Sequence, residues 1–92
     1  MIYDIRPLPS FERPFSKLAG NIQRRIAEKL EFLAQHPEVI VSPMKNLPND
    51  LRGLHKIRVG PWRIFFWVDR GKREITPYDV GNRDKVYKLL RK

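Results

Sequence analysis

Five side chains in the second half of the chain have the types and the spacing needed to bind and cleave a phosphodiester. They are Lys56, Arg58, Arg63, Arg83 and Tyr87. Lys56 and Arg58 lie two residues apart, so on an extended strand both project from the same face. Arg63 comes just after a Gly60–Pro61 turn, and Arg83 and Tyr87 follow the next predicted strand. The spacing therefore predicts four cations and a phenol on one face of a sheet.

Cleavage of RNA by its own 2′-hydroxyl group requires a proton acceptor, positive charge around the phosphorane, and a donor to the departing 5′ oxygen. Lys56 is the candidate for proton transfer, because neighbouring guanidinium groups disfavour its charged form. The arginines would hold the phosphate with paired hydrogen bonds. Tyr87 would stack on a base, orient the 2′-hydroxyl or accept its proton. These residue types fit a nuclease that works with cations.

The two histidines are weaker candidates. His55 has the opposite parity to Lys56 and Arg58, so we expect it to pack on the other face of the strand. His36 stands near the end of a predicted helix, where the helix dipole alone favours a basic residue. Neither histidine is therefore assigned to catalysis.

No metal site and no thiol chemistry are predicted. Asp50, Asp69 and Asp79 are scattered and lack the spacing of a metal cluster. The chain has no cysteine, which excludes a disulfide framework and a thiol nucleophile. We expect neither a metal nor another cofactor.

The cationic pattern also fits an ordinary solvent-facing surface, since antiparallel sheets commonly expose one face. Phe65 and Trp67 share parity with Arg63, so this face is not purely hydrophilic. The two aromatic rings would either stack on bases or be covered by the C-terminal segment, and we favour covering. Spacing alone leaves both interpretations of the cations open.

The composition indicates one basic domain over residues 1–92. Lysine and arginine number 19 against 10 acidic residues, giving a net charge of +9. This excess favours binding to nucleic acid or to an acidic protein, with a solvated basic surface as the alternative. Asp4, Arg6 and two prolines interrupt any leader-like start, and no apolar run approaches the ~20 residues of a membrane span. We expect a cytoplasmic protein.

The first half of the chain reads as a strand followed by two helices. Met1 to Arg6 predicts a short strand, and Ser10 is expected to cap a helix from Phe11 with Pro14 in its first turn. After Gly20–Asn21, a second helix has a stripe of apolar residues and should stop by His36, before Pro37. The stripe consists of Ile22, Ile26, Leu30 and Leu33.

The second half reads as a loop and a meander. Residues 38–50 predict a loop with at most one helical turn, and three strands follow at 54–59, 62–68 and 73–80. Pro77 requires an edge or a bulge in the third strand. Residues 84–92 are helical in pattern. The order predicts an α+β two-layer fold, in which an N-terminal strand and an αα-hairpin pack on an antiparallel sheet.

The sequence resembles the RelE/ParE superfamily of toxins from bacterial and archaeal toxin–antitoxin systems. The segment LRGLHKIRVGPWRIFFWV (51–68) is similar to the superfamily's core motif, and VGNRDKVYK (80–88) is similar to its closing signature. The order of elements extends the resemblance over essentially the whole chain. Asn82 departs from the histidine that many members have, and Gly60–Pro61 makes a stiffer turn than theirs.

The resemblance implies a RelE-like fold and, in the RelE branch, an endoribonuclease that cuts mRNA in the ribosomal A site. Lys56 would be the general base or its partner, and Arg58 and Arg63 would hold the phosphate and stabilise the transition state. Arg83 would stabilise the leaving group or act as an acid, and Tyr87 would stack or orient. Further RNA contacts are predicted at Lys45, Arg52, Lys85 and Trp67.

The resemblance also implies the partners and an alternative. A cognate acidic antitoxin would neutralise the protein, while the ribosome and mRNA would be its targets; no membrane and no small-molecule cofactor are expected. The ParE branch instead inhibits DNA gyrase without cleaving anything. A basic RNA-binding or partner-binding module without activity is the third interpretation.

Overall fold

The computed structural model describes residues 2–82, in which two helices pack on a four-stranded sheet. The elements are β1 (Asp4–Ile5), α1 (Pro9–Ser16), α2 (Gly20–Gln35), β2 (His55–Val59), β3 (Trp62–Asp69) and β4 (Glu74–Gly81), with single 3-10 turns at Pro37–Val39 and Asn49–Leu51. The predicted catalytic residues Arg83 and Tyr87, the predicted RNA contact Lys85 and the predicted C-terminal helix lie outside the described residues. Neither α1 nor α2 is long and apolar enough to cross a membrane.

The start of α1 differs from the prediction. The helix begins at Pro9, whose fixed φ suits a first helical position, and its N-cap is Leu8 rather than Ser10. The hydroxyl of Ser10 instead donates a hydrogen bond to the carbonyl of Tyr78 and so ties α1 to β4. With this earlier start, Pro14 lies inside the helix and not in its first turn.

Helix α2 carries the expected apolar stripe. Ile26, Leu30 and Leu33 are buried, while Ile22 is partly buried. The helix begins at Gly20 after Ala19, so Gly20 and Asn21 belong to its first turn and do not precede it as predicted. It ends at Gln35 as predicted, because a residue before proline disfavours helical backbone.

The sheet order is β1-β4-β3-β2. Strands β2, β3 and β4 form the predicted antiparallel meander, with bounds within one residue of those expected. β1 joins it in parallel, pairing Asp4 with Glu74 and Ile5 with Ile75, which makes the whole sheet mixed. The predicted α+β two-layer fold is confirmed. The order leaves β2 at one edge of the sheet.

The bulge expected at Pro77 is present. Phe66 pairs with Pro77 but Phe65 pairs with Asp79, so Tyr78 is an extra residue in β4. Asp79 therefore shares a face with Phe65, and Tyr78 packs against the same cluster. The bulge accommodates a residue that cannot donate to the ladder.

The two faces of the sheet are covered differently. The helix face, which packs on α1 and α2, forms the main core; its buried members are Phe11, Ile26, Leu30, Leu33, Ala34, Val59, Ile64, Phe66, Ile75 and Val80. The opposite face is the cationic face, which carries Lys56, Arg58, Arg63, Phe65 and Trp67. A loop over residues 44–54 covers part of it and forms a smaller cluster with Phe65.

Candidate functional site

Three of the five predicted catalytic residues lie together on the cationic face. Arg58 pairs directly with Arg63 across β2 and β3, so their Cα atoms are about 4.5–5.5 Å apart. Lys56 is two residues from Arg58 on the same side of β2 and pairs with Phe65. Lys56 and Arg58 are exposed, and Arg63 is partly exposed. The strand register thus brings two guanidinium groups and an ammonium group to one accessible patch.

No carboxylate among residues 2–82 lies within ion-pair distance of these three cations. The ion pairs in that part of the chain join Arg6 to Glu74 and His36 to Glu38. Arg63 is held instead by its own turn, since Nη1 donates to the carbonyl of Pro61 at 3.3 Å. The positive charge of the patch is therefore available to an anionic ligand.

The turn between β2 and β3 sets the spacing of the patch. Gly60 has a φ of 59°, a left-handed conformation that glycine adopts without strain. Pro61 follows, and the pairing of Val59 with Trp62 closes the hairpin at once. This tight connection makes Arg58 and Arg63 cross-strand neighbours.

A shallow cavity of about 410 Å³ adjoins Arg58 on the helix side of the turn. Arg25 and Lys29, one turn apart on α2, contribute to its lining with Glu28 and Phe32. A Cβ added to Gly60 would lie 3.6 Å from the guanidinium nitrogens of Arg25. Arg25 and Lys29 were not among the residues predicted for the site. Their spacing of four residues places both on one face of α2, and this is the sequence signal that could have revealed them.

Three of the predicted RNA contacts, Lys45, Arg52 and Trp67, are described residues, and they lie on or beside the covering loop. Trp67 donates its ring N–H to the carbonyl of Arg52 at 3.0 Å. Its ring packs against that of Tyr78, with 4.9 Å between the ring centroids. The side chain of Arg52 donates to Asn49, and Lys45 is exposed. Trp67 is partly exposed, so one part of its ring is accessible.

Phe65 does not have the role considered for it. Only 1% of its surface is exposed, because Leu51 and Leu54 pack over it. Its ring therefore cannot stack on a base. Among the described residues the loop over 44–54 covers it, while the C-terminal segment that we favoured as the cover lies outside the described residues. The sequence did not show that this loop would fold back over the sheet.

His55 packs on the helix face, as its parity predicted. Its ring stacks on Phe66 at 5.2 Å and is 9% exposed. Burial lowers the pKa of His55, a backbone hydrogen bond at Val41 opposes this shift, and the positive charge of Arg70 adds to it. Its Nδ1 atom is buried without a hydrogen-bond partner in the described structure.

The remaining candidates are separated in the fold. His36 ends α2 and faces Glu38 at 3.5 Å. Asp69 accepts a hydrogen bond from the backbone N–H of Lys72 in the β3–β4 turn, while Asp79 is buried in β4. Across residues 2–82, no three His, Asp or Glu side chains are grouped to hold a metal ion.

The chain is similar to known toxins in sequence. A family model described as the ParE toxin of the type II toxin–antitoxin system parDE matches residues 5–87. Toxin RelE of Mycobacterium tuberculosis is 28% identical over 74 residues, which cover 72% of this chain and 74% of that toxin.

The fold is similar to solved toxin structures. The toxin of the RelBE2 toxin–antitoxin complex from Mycobacterium tuberculosis has a TM-score of 0.76 and 21% identity, covering 90% of this chain and 93% of that one. A mutant of E. coli toxin RelE in the free state has a TM-score of 0.76 and 18% sequence identity. The match covers 98% of this chain and 95% of that one. A chain of the archaeal RelE–RelB complex from Pyrococcus horikoshii has a TM-score of 0.69 and 18% sequence identity. The match covers 90% of this chain and 97% of that one.

Proposed function

The chain belongs to the ParE toxin family of type II toxin–antitoxin systems, within the RelE/ParE superfamily, and from that premise we propose that it is a ribosome-dependent endoribonuclease that cleaves mRNA and inhibits translation. The observation that carries the proposal is the pairing of Arg58 with Arg63 beside Lys56, three cations that take part in no ion pair among residues 2–82. Such a patch suits a phosphodiester that acquires a second negative charge during reaction.

In the proposed reaction the ribose 2′ oxygen attacks the adjacent phosphorus. A P–O2′ bond forms as the P–O5′ bond breaks, and the 2′ proton passes to a base on the protein. The departing 5′ oxygen takes up a proton, leaving a 2′,3′-cyclic phosphate and a 5′-hydroxyl. Every role in this sequence can be filled by a side chain, so the proposal calls for no metal and no cofactor.

Lys56 is the proposed general base, and Arg58 and Arg63 bind the non-bridging oxygens. The planar guanidinium forks match a tetrahedral phosphate, and two of them side by side suit the more highly charged phosphorane. Arg83 and Tyr87 keep the roles that the resemblance implies, which are stabilisation of the leaving group and stacking or orientation of the substrate.

The RNA on either side of the scissile linkage is proposed to follow the remaining cations. Arg58 borders the cavity beside Arg25 and Lys29, which offers the backbone a route over the turn at Gly60. Lys45, Arg52 and Trp67 are the proposed contacts at the other end of the patch, and Lys85 stays a proposed contact outside the described residues. A net charge of +9 supports binding dominated by phosphates, with affinity that falls steeply as salt rises.

A cognate acidic antitoxin is the proposed partner in the cytoplasm. Solved relatives of this fold include complexes of RelE with RelB, as in the intact E. coli RelBE complex. An acidic, extended segment would neutralise the cations by covering them.

Inhibition of DNA gyrase is the second candidate function. The match to a ParE toxin model favours it. Asn82, in place of the histidine that many members of the superfamily have, argues against a histidine-dependent form of the nuclease mechanism. A supercoiling assay with purified gyrase tests this function directly, because it contains no ribosome and no mRNA.

Mapping of mRNA ends in growing cells tests the nuclease proposal. Tightly controlled expression of the wild-type protein should produce new 5′ ends within translated codons, detected by primer extension. Arg63→Ala should reduce cleavage by about 10²–10³-fold, since it removes a donor to the transition state.

Arg70→Ala is the matched control. Arg70 is also an exposed arginine of the meander, but it lies in the β3–β4 turn at the opposite end of β3. It should leave cleavage within about twofold of wild type, because surface changes away from a site have small effects. Equal cleavage by wild type and Arg63→Ala would refute the proposed site, and inhibition of supercoiling without new mRNA ends would favour gyrase.

A further inference from the structure

Trp67 of β3 contacts the backbone of the loop that partly covers the cationic face. Its ring N–H donates to the carbonyl of Arg52 at 3.0 Å, and a Cβ added to Gly53 would lie 3.6 Å from its Cδ1 atom. Gly53 has a φ of 86°, in the left-handed region that glycine adopts without strain. The indole thus lies against the loop two residues before β2 begins at His55.

The bulge in β4 places a second aromatic ring against Trp67. Tyr78 is the extra residue of the bulge, and its ring plane is inclined by 59° to that of Trp67, at 4.9 Å between centroids. The carbonyl of Tyr78 accepts a hydrogen bond from Ser10, which ties this part of β4 to α1. The indole is therefore packed against the sheet. A side chain whose rotamer is fixed by packing holds its hydrogen-bond partner precisely.

The hydrogen bond from Trp67 restrains a cation that can contact RNA. Arg52 is exposed, and its Nη2 atom donates to Oδ1 of Asn49 at 3.2 Å. Its backbone N–H donates to the carbonyl of the same asparagine at 3.3 Å. With its carbonyl bound to Trp67, the backbone of Arg52 is held at both its N–H and its C=O group. A cation that is already restrained loses less freedom when it binds a phosphate.

The loop needs a directional contact because its other anchor is apolar. Leu51 and Leu54 pack over Phe65, and the loop contains a single 3-10 turn. Hydrophobic contacts are non-directional, so they keep the loop on the sheet without fixing how its backbone is oriented. A hydrogen bond has a preferred length and angle. The bond from Trp67 to Arg52 therefore supplies the orientation that the leucines do not.

We propose that Trp67 is a positioning residue for RNA binding, whose ring N–H holds the loop so that Arg52 contacts a phosphate of the substrate. This inference rests on the proposed function for the identity of the ligand. Trp67 lies four residues beyond Arg63 on β3, roughly 13 Å along the strand, so this phosphate is not the scissile one. The indole nitrogen, rather than stacking by the ring, accounts for the effect of Trp67 on RNA affinity.

Hydrogen exchange measured by NMR tests the contact between Trp67 and the loop without RNA. Trp67→Phe keeps an aromatic ring and removes the donor. The amides of Met44 and Leu54, which bond within the loop, should exchange about threefold to tenfold faster, as expected for the loss of one hydrogen bond. The amide of Ile64 in the main core should keep its wild-type rate, which shows that the variant folds.

Trp62→Phe is the matched control. It makes the same change at the other tryptophan of the chain, which is also partly exposed on β3 but has the opposite parity. Loop exchange in this variant should stay within about twofold of wild type. Equal loop exchange in the wild type and Trp67→Phe overturns the proposal.

A non-cleavable RNA tests the role of the loop in binding. The probe is a fluorescent single strand of about ten 2′-O-methyl nucleotides, which has no 2′-hydroxyl to attack. Arg52→Ala and Trp67→Phe should each weaken binding by about threefold or more. Each should reduce the slope of log affinity against log salt by about 0.7, the value for one phosphate contact on a single strand. Trp62→Phe should bind within about twofold of wild type.

The double variant separates positioning from direct contact. If Trp67 acts through Arg52, Trp67→Phe combined with Arg52→Ala should bind RNA no more weakly than the weaker single variant, because both changes remove the same contact. Losses that multiply in the double variant would mean that Trp67 contacts RNA by itself, and they overturn the proposal. Unchanged affinity or an unchanged salt slope in Trp67→Phe overturns it as well, as does a wild-type protein without affinity for the probe.

The same variants separate this inference from the nuclease proposal. Loop exchange and RNA binding are measured without ribosomes, so both results can be obtained when wild-type protein produces no new mRNA ends. Where the wild type cleaves mRNA on ribosomes, Trp67→Phe should raise KM and leave kcat within about twofold, since it removes binding shared by the ground state and the transition state. A fall in kcat at unchanged KM overturns the positioning role and leaves the nuclease proposal intact.

Discussion

The two faces of this sheet are built from the same strands but differ in how much of each is buried. On the helix face, Ile64 and Phe66 are fully buried beneath α1 and α2. On the cationic face, a loop covers Phe65. Arg63, two residues before Phe65 on β3, is partly exposed, and its cross-strand partner Arg58 is exposed. Among residues 2–82, the helices cover the first face, and the loop over 44–54 covers the second face at one end only.

The difference explains how a domain of 92 residues combines a stable core with a concentrated charge. Alternation along a strand sends successive side chains to opposite faces, so the apolar set and the cationic set do not compete for space. Like charges placed as neighbours destabilise a sheet. The helix face must supply stability that the cationic face, by its composition, does not.

The largest expected effect is on mRNA cleavage by a variant of Lys56, in which the charge of the side chain is kept and its capacity for proton transfer is lost. Lys56→Arg keeps the positive charge but replaces a titratable amine with a group that is not deprotonated in proteins. If Lys56 is the general base, single-turnover cleavage of mRNA on ribosomes should fall by about 10²–10⁴-fold. Affinity for ribosomes and the free energy of unfolding should both stay near the wild-type values.

Lys56→Ala is the companion variant, because it removes the charge and the amine together. It should lose ribosome affinity as well as cleavage. Full cleavage by Lys56→Arg would assign proton transfer to another group and reduce Lys56 to an electrostatic role. A large loss of stability in either variant would contradict the separation between the two faces.

The helix face should show the opposite behaviour. Phe66→Ala removes a fully buried ring from the main core and should lower the free energy of unfolding by about 3–5 kcal/mol, measured with urea. Arg58→Ala, on the exposed side of the neighbouring strand, should change it by no more than about 0.5 kcal/mol. Comparable losses in the two variants would mean that the cationic patch also holds the fold together.

Local sequence signals were enough to predict most of this fold. Strand alternation and short turns gave the meander, and Pro37 gave the end of α2. Pro77 predicted an edge or a bulge, because its missing donor must be accommodated within the strand, and the structure has the bulge. The parallel pairing of β1 with β4 has no such local signal, since it joins residues about 70 positions apart.

The same limit applies to the candidate site. Parity alone predicted that Lys56, Arg58 and Arg63 share a face. The burial of Phe65 depends on the loop over 44–54, whose path is set by contacts such as Trp67 with Arg52 rather than by periodicity. Tertiary placement of loops and helices accounts for what the pattern could not supply.

The smallest expected effect lies at His55, where the helix face meets the open edge. Burial lowers the pKa of this imidazole from its ordinary value of 6.5, so the folded protein binds the proton less readily than the unfolded chain does. As pH falls through about 6.5, the unfolded state takes up more protons and the free energy of unfolding decreases. Urea denaturation between pH 7.5 and 5.5 should show this decline in the wild type and a shallower one in His55→Gln. A decline as steep in His55→Gln as in the wild type would show that the packed face tolerates a charged imidazole.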